Sequence, residues 1–317
     1  MTVDDMIEKF IQSRVRRGLS DRTVENYESR LKLFRQFCDG KDSVDLTPEL
    51  VEDYIDQVMR KRKENVMLPG KKGTRIAKDT QYTYLNVLRI FLNWSEKRGY
   101  IGPLANYIEL PRRNKKLVDI YTPNEMEEIF EALHNSVPWI ELRNRALVAV
   151  MYDSGLRLSE ALSITQRILC SGRNSIKITG KGSKDRYVPL GTFTKESLEK
   201  YLAALPEQLD PDDPIFRSNR GNPLSVDNVE RIFYRLRKRT SFSVSPHKLR
   251  HNFATNFLAD QYREKGSADI YQLMLILGHS DVQTCKIYLH MAQALVIGEG
   301  SYSHLDKIFS MSPEEKR

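Results

Sequence analysis

Apolar residues recur at three- and four-residue intervals through most of this chain, and glycine closes one series after another. Met6, Ile7, Phe10, Ile11 and Val15 form the first series, which stops before Gly18. Ser20 offers an N-cap for a second helix with Val24, Tyr27, Leu31 and Phe34 turned inward. Thr47-Pro48-Glu49 places proline just inside a third, which runs through Val51, Ile55 and Val58. Asp79 can cap a fourth, carrying Tyr82, Leu85, Leu88, Phe91 and Leu92 and ending before Gly99. A chain with this period has to fold as packed helices, and four of this length make a compact bundle.

The rest keeps the same habit with one exception. Residues 102–121 hold two prolines and little periodicity, and read as a linker. Thr122-Pro123-Asn124-Glu125 is a capping box that opens a second domain. A helix through Leu142, Ala146, Leu147 and Val150 ends at Gly155. Residues 175–179 and 186–190 alternate instead, around a Gly-Lys-Gly-Ser-Lys-Asp turn, which predicts a small hairpin. Val229, Ile232, Phe233 and Leu236 then form an apolar stripe, with Arg231, Arg235, Arg237, Lys238 and Arg239 outside it. The expected architecture is mainly α. An N-terminal helical bundle (1–102) and a basic linker (103–121) precede an α-rich domain (122–317) with a small antiparallel β-sheet. At 317 residues the chain suits two domains.

No apolar run of about 18 residues is present to span a bilayer. The start, Met-Thr-Val-Asp-Asp-Met, lacks the basic and apolar regions of a secretory leader. Cys38, Cys170 and Cys285 lie far apart and are odd in number, which fits a reduced, cytoplasmic protein without a cysteine metal framework. Net charge is +8, favouring a polyanionic partner. Between residues 60 and 78, Arg60, Lys61, Arg62, Lys63, Lys71, Lys72, Arg75 and Lys78 face one acid, Glu64. Arg112, Arg113, Lys115 and Lys116 form a second basic group, in the linker. The first group reads as an exposed loop, and both as contacts to nucleic acid.

Four segments concentrate phosphate-handling chemistry: Ser-Gly-Leu-Arg157-Leu-Ser-Glu160, Gly-Lys181-Gly-Ser-Lys184-Asp-Arg, Pro-His247-Lys-Leu-Arg250-His, and Leu-Gly-His279-Ser-Asp followed by Ile-Tyr288-Leu-His. His247 and Arg250 fall three apart at a helix start marked by Ser245 and Pro246, hence on one face, with Leu249, Phe253 and Phe257 anchoring the other. Guanidinium groups stay charged and match two phosphoryl oxygens at once. Glu160, one turn after Arg157, can orient it. Lys181, between two glycines at a hairpin tip, can carry an ammonium to a leaving oxygen, and Lys184 in the same turn is its rival. Ser280 and Gln283 read as a capping box for the helix of Tyr288, with Thr284 and Tyr288 on one face. A phenol is a poor nucleophile at neutral pH, and cations around a phosphate stabilise both the phenolate and the charge developing on oxygen. Such chemistry calls for no metal or other cofactor.

The order Arg…Lys…His-x-x-Arg…His…Tyr resembles the tyrosine recombinases, the family of the lambda and Xer enzymes, over essentially the whole chain. That resemblance implies a SAM-like core-binding domain followed by a catalytic domain. Tyr288 would attack a scissile phosphate to give a 3′-phosphotyrosyl link. Arg157 and Arg250 would clamp the phosphate, Lys181 protonate the leaving oxygen, His247 serve the tyrosine as acid and base, and His279 bond the phosphate. It also implies duplex DNA as partner and a tetramer on two sites, joined by an exchanged C-terminal tail carrying Leu305, Ile308 and Phe309. The connection at 69–78 is longer and more basic than expected for Xer proteins, which points toward a mobile-element integrase. Rival readings are a type IB topoisomerase, a DNA-binding regulator with an inactive site, and a metal nuclease using Asp153, Glu160 and Asp185.

Overall fold

Capping chemistry sets where the helices begin in the computed structural model, which describes residues 1–62, 74–112, 119–170, 174–180 and 185–299. Thr2 accepts from the Asp5 amide at 3.0 Å while the Asp5 carboxylate accepts from the Thr2 amide at 3.1 Å, opening α1 (Val3–Arg16). Ser20 stands at the N-cap of α2 (Asp21–Phe37), but its hydroxyl meets that of Thr23 and not an amide. Thr47 accepts from the Leu50 amide ahead of α3 (Pro48–Arg60). α4 (Lys78–Lys97) starts before the expected cap. Ala77 is its N-cap, its carbonyl taking the amides of Thr80 and Gln81, so Asp79 lies inside the first turn. There its charge complements the positive end of the helix dipole.

The chain divides into two units, Met1–Lys116 and Leu117–Arg317. In the first, α4 packs on α1, α2 and α3. Phe10 meets Tyr27, Phe91 and Trp94 edge-on, with ring centres 5.4, 5.5 and 5.5 Å apart. Val15 is 58% exposed. Arg14 is buried in its stead, its guanidinium 4.4 Å from the Phe10 ring centre. The expected linker also begins inside this core: a 3-10 turn at Leu104–Tyr107 packs on α4, burying Leu104, Ala105 and Ile108. Three apolar residues too few to show a period were enough to be buried by an adjacent helix.

The second unit opens with the expected box, Thr122 and Glu125 exchanging bonds ahead of α5 (Pro123–Ala132). α6 (Pro138–Ser154) ends at Gly155 in the left-handed conformation, φ 62°. α7 (Leu158–Leu162) and α8 (Gln166–Cys170) lead to β1 (Ser175–Thr179) and β2 (Asp185–Pro189). The strands pair antiparallel, Ser175 opposite Pro189 and Thr179 opposite Asp185, so β2 starts one residue before the expected 186. Ile176, Ile178 and Val188 face the core. α9 (Thr192–Ala203), α10 (Val226–Arg239), α11 (Pro246–Lys265), α12 (Ile270–Leu277) and α13 (Lys286–Glu299) complete the described order.

α11 packs against both α6 and α13. It is therefore buried on more than the Leu249, Phe253 and Phe257 side expected of it: Arg250, Asn252 and Thr255 are buried as well. No described helix is long and apolar enough to cross a membrane. The tail with Leu305, Ile308 and Phe309 lies outside the described residues.

Candidate active site

The C-terminus of α12 organises the site. A helix end leaves carbonyls without partners, at the negative end of its dipole. Here three consecutive carbonyls each receive a different arginine. Arg186, from β2, donates through Nε to Ile276 O at 2.8 Å. Arg250, from α11, donates through Nη2 to Leu277 O at 2.8 Å. Arg157, from the turn between α6 and α7, reaches Gly278 O through Nη2 at 3.5 Å. Arg250 also donates to Gly155 O at 2.6 Å. Glycine is needed there twice over, because φ is 62° and an added Cβ would fall 2.2 Å from Cδ1 of Phe253.

Glu160 ties the arginines together. Its carboxylate accepts from the Arg157 amide (2.8 Å), Arg157 Nη1 (3.0 Å) and Arg186 Nη2 (2.7 Å), and lies 4.0 Å from Arg250 Nη1. Burial pushes its pKa upward, but the bonds from Arg186 and Arg157 outweigh that and hold it below the ordinary carboxylate range. Arg250 is 4% exposed; burial, then Arg157, lowers its pKa to about 10, which leaves it charged at neutral pH.

His279 follows the α12 cap, and its Nε2 lies 2.9 Å from Arg250 Nη2. A guanidinium can only donate, so Nε2 accepts and the proton of the neutral ring sits on Nδ1. Nδ1 faces Thr284 Oγ1 at 2.9 Å and Cys285 Sγ at 3.1 Å. Burial and then Arg250 push the His279 pKa down to about 4. The expected Ser280 capping box does not form. Asp281 accepts from the Gln283 amide instead, a 3-10 turn covers Val282–Thr284, and α13 begins at Lys286. Thr284 therefore serves His279 and shares no helix face with Tyr288. An aspartate bonding an amide two residues ahead forms a tighter turn than a box three residues long.

Tyr288 is 4% exposed, packed with Phe253, Leu258, Leu277 and Cys285. Burial raises its pKa, while Arg250 and Arg157 act in the opposite direction. Both guanidinium groups thus bear on the phenol. A row of rings leads away from it: His251 lies 5.2 Å from Tyr288 and His247 lies 4.3 Å from His251, centre to centre. Burial, then Arg250, lowers the His247 pKa; burial, then His247, takes His251 down to about 4. Buried Nδ1 of His251 has no hydrogen-bond partner among the described residues.

An open pocket of about 880 Å³ fronts this array, lined by Arg157, Glu160, His279 and the hydroxyl residues Ser159, Ser163, Thr179, Ser280 and Thr284. The structure thus brings Arg157, Glu160, Arg250 and His279 into one bonded network, with Tyr288 and His247 beside it. Lys181 and Lys184 lie outside the described residues. Of the candidate DNA contacts, Lys61, Arg62, Arg75 and Arg112 are described, and Lys63, Lys71, Lys72, Arg113, Lys115 and Lys116 are not. Within the described part of the 60–78 stretch, an antiparallel bridge pairs Arg62 with Arg75, and the Ile76 amide donates to Lys61 O at 3.1 Å. Asp153 accepts from the Gly191 amide and Asp185 from Lys177 at 2.7 Å, so the three carboxylates of the metal-nuclease reading are spent on separate tasks.

Sequence reasoning missed two members. Arg186 carried a legible signal, since it shares the inward face of β2 with Val188. His251 carried none beyond its place after Arg250.

Residues 2–106 match the phage integrase SAM-like domain, and residues 120–294 match the phage integrase family. The tyrosine recombinase XerC of Agrobacterium fabrum is 32% identical over 277 residues, covering 86% of this chain and 84% of that protein. XerC of Rhizobium meliloti is 31% identical over 294 residues, covering 89% and 86%. A lambda integrase dimer bound to a COC′ core site shares the fold, with a TM-score of 0.68 at 20% identity over 91% of this chain and 95% of that one. A lambda integrase tetramer bound to a Holliday junction superposes with a TM-score of 0.67 at 19% identity, over 89% and 78%. The chain belongs to the phage integrase family: it is a tyrosine recombinase, an enzyme of site-specific recombination that breaks and rejoins DNA strands.

Proposed function

We propose that Tyr288 is the nucleophile of this enzyme, working inside the arginine array at the end of α12. The phenol oxygen attacks the scissile phosphorus and the bond from phosphorus to O5′ breaks, leaving a 3′-phosphotyrosyl link and a free 5′-hydroxyl. His247, kept neutral by burial and Arg250, takes the phenol proton. Lys181 supplies a proton to the departing O5′. Arg157 and Arg250 clamp the nonbridging oxygens in fixed positions, so little reorganisation is needed as charge develops. His279 is unprotonated beside three arginines, and an arriving phosphate anion offsets their field and favours the protonated ring that can donate to it. Attack by the 5′-hydroxyl of the exchanging strand reverses each transfer and releases the phenol, so no external energy source is consumed.

The observation that carries this reading is that Arg250 hydrogen-bonds His279 and acts electrostatically on Tyr288 while sharing Glu160 with Arg157. Duplex DNA is the partner this predicts. The first unit, through the basic stretches at 60–78 and 112–116, contributes contacts to the duplex. Four protomers assemble on two sites through the C-terminal tail.

Tyr288→Phe removes only the reacting oxygen. It is expected to abolish covalent attachment to a nicked suicide duplex on a denaturing gel while DNA binding stays within about threefold. An adduct that persists in the variant overturns the assignment. DNA captured covalently in cells would map to the ends of a mobile element if the enzyme is that element's integrase, and to one chromosomal locus if it resolves replicon dimers.

A further inference from the structure

We propose that Thr284 is a positioning residue for His279: its hydroxyl oxygen accepts from Nδ1–H and keeps Nε2 turned toward Arg250 and the phosphate. This role rests on the phosphate bond proposed for His279 and adds what holds the ring ready to make it.

The 3-10 turn at Val282–Thr284 builds the contact. The Asp281 carboxylate accepts from the Gln283 amide at 2.8 Å, which fixes the start of the turn. The Asp281 carbonyl then accepts twice from Thr284, from the amide at 3.2 Å and from Oγ1 at 2.6 Å. A hydroxyl has one proton, and that bond uses it. Oγ1 therefore has only lone pairs to offer His279 Nδ1 at 2.9 Å. On the other side of the ring Arg250 Nη2 stands 2.9 Å from Nε2 and can only donate. Two independent constraints, one from α11 and one from the turn, select the same tautomer. The reverse tautomer sets two donors against each other at Nε2 and two acceptors at Nδ1.

Cys285 Sγ also lies 3.1 Å from Nδ1, but a thiol is a weak acceptor. The oxygen is the partner that counts when the ring gains a proton. A protonated imidazole donates from both nitrogens. Nδ1–H stays on Thr284, while a proton taken from solvent at Nε2 meets a nonbridging oxygen. An acceptor at Nδ1 thus favours the charged ring. Thr284 is exposed and lines the pocket, whereas Cys285 and Tyr288 are buried, so its side chain can be changed without opening the core.

The groups facing His279 are Arg250, Arg157, Arg186, Glu160 and Cys285. Guanidinium groups stay charged. Glu160 is held below the carboxylate range, and burial pushes the Cys285 thiol upward. Once a phosphate is bound, His279 alone among them changes charge near neutral pH. The protonated ring is the active form, so cleavage should fall as pH rises through its bound-state pKa.

Single-turnover adduct formation on a suicide duplex, followed across that range, reads this alkaline limb. Thr284→Val removes the acceptor, and its methyl keeps water from replacing it. The limb should move down by about one pH unit, with cleavage about tenfold slower above it. Thr284→Ala leaves room for water, should shift the limb less, and serves if the valine variant does not fold. Thr284→Ser should restore the wild-type profile. His279→Gln donates without a charge to lose and should flatten the limb. A limb left in place by Thr284→Val but flattened by His279→Gln overturns the inference and leaves the His279 role standing. A serine variant as impaired as valine overturns it too. If the wild type shows no such limb, or His279→Gln retains it, the His279 role falls and the inference with it.

Discussion

Helices α4 and α11 are both 20 residues long, yet they bury different things. α4 hides Leu85, Val87, Leu88, Phe91 and Leu92, with only Gln81 and Ser95 as buried polar side chains. α11 hides Leu249, Phe253, Ala254, Leu258 and Ala259 together with Arg250, Asn252 and Thr255. Asn252 takes the Tyr121 amide at 2.7 Å and donates to Lys248 O at 2.8 Å, and Arg250 makes the contacts described above. The first helix is held by apolar area, which tolerates exchange of similar shapes. The second is held by directed bonds whose removal strands a buried partner. The difference marks the unit in which the proposed site lies.

Truncating one member of each helix separates the two modes most strongly. Arg250→Met leaves Glu160 with one cation fewer and opens the carbonyls of Gly155 and Leu277. It should destabilise the second unit by about 3–5 kcal/mol and cut adduct formation by about 10³-fold per folded molecule. Phe91→Ala should cost the first unit a similar 3–5 kcal/mol in denaturant melts. Cleavage per DNA-bound molecule should then change by less than about tenfold. Equal losses of chemistry in the two variants would erase the distinction.

Acid sharpens it further. All six histidines (134, 247, 251, 279, 290 and 304) fall in the second unit. His251 and His279 titrate near pH 4 in the folded protein against 6.5 in the unfolded chain. The unfolded state therefore binds protons first on acidification. Stability from these groups is complete above about pH 6.5 and is lost as pH falls toward about 4, on the order of 1 kcal/mol for each ring. Urea melts at pH 7 and pH 5 should show the second unit losing stability while the first holds; a parallel loss in both would refute the assignment to these rings.

The caps give the smallest contrast. Thr122→Ala breaks a reciprocal box and should cost about 1 kcal/mol, whereas Ser20→Ala, with no bond to an amide, should cost less than about 0.5 kcal/mol. Thermal melts resolve the pair.

Much of this could be read in advance. Most of the helices declared themselves through period and punctuation, α7, α8 and α9 excepted, and the hairpin did so through alternation, to within one residue. Leu104, Ala105 and Ile108 did not, because three apolar residues beside a proline show no period. Asp79 and Ser280 were reasonable caps, but Ala77 and Asp281 took those places once backbone geometry was settled. Arg157, His247, Arg250, His279 and Tyr288 were picked out as candidates by type and order, and they lie close together in the fold. Arg186 and His251 were passed over, because an arginine on a strand and a second histidine on a helix are common in any chain.

The sequence by itself determined the helical architecture, the place of the hairpin and the family of chemistry, since these follow from period, caps and side-chain type along a local stretch. Only the tertiary structure decided that three arginines from β2, α11 and the α6–α7 turn converge on successive carbonyls of α12, with Glu160 between them. Those partners lie up to 121 residues apart in Arg157 and Gly278. Bonds of that kind depend on where packed helices end in space, which no local spacing encodes.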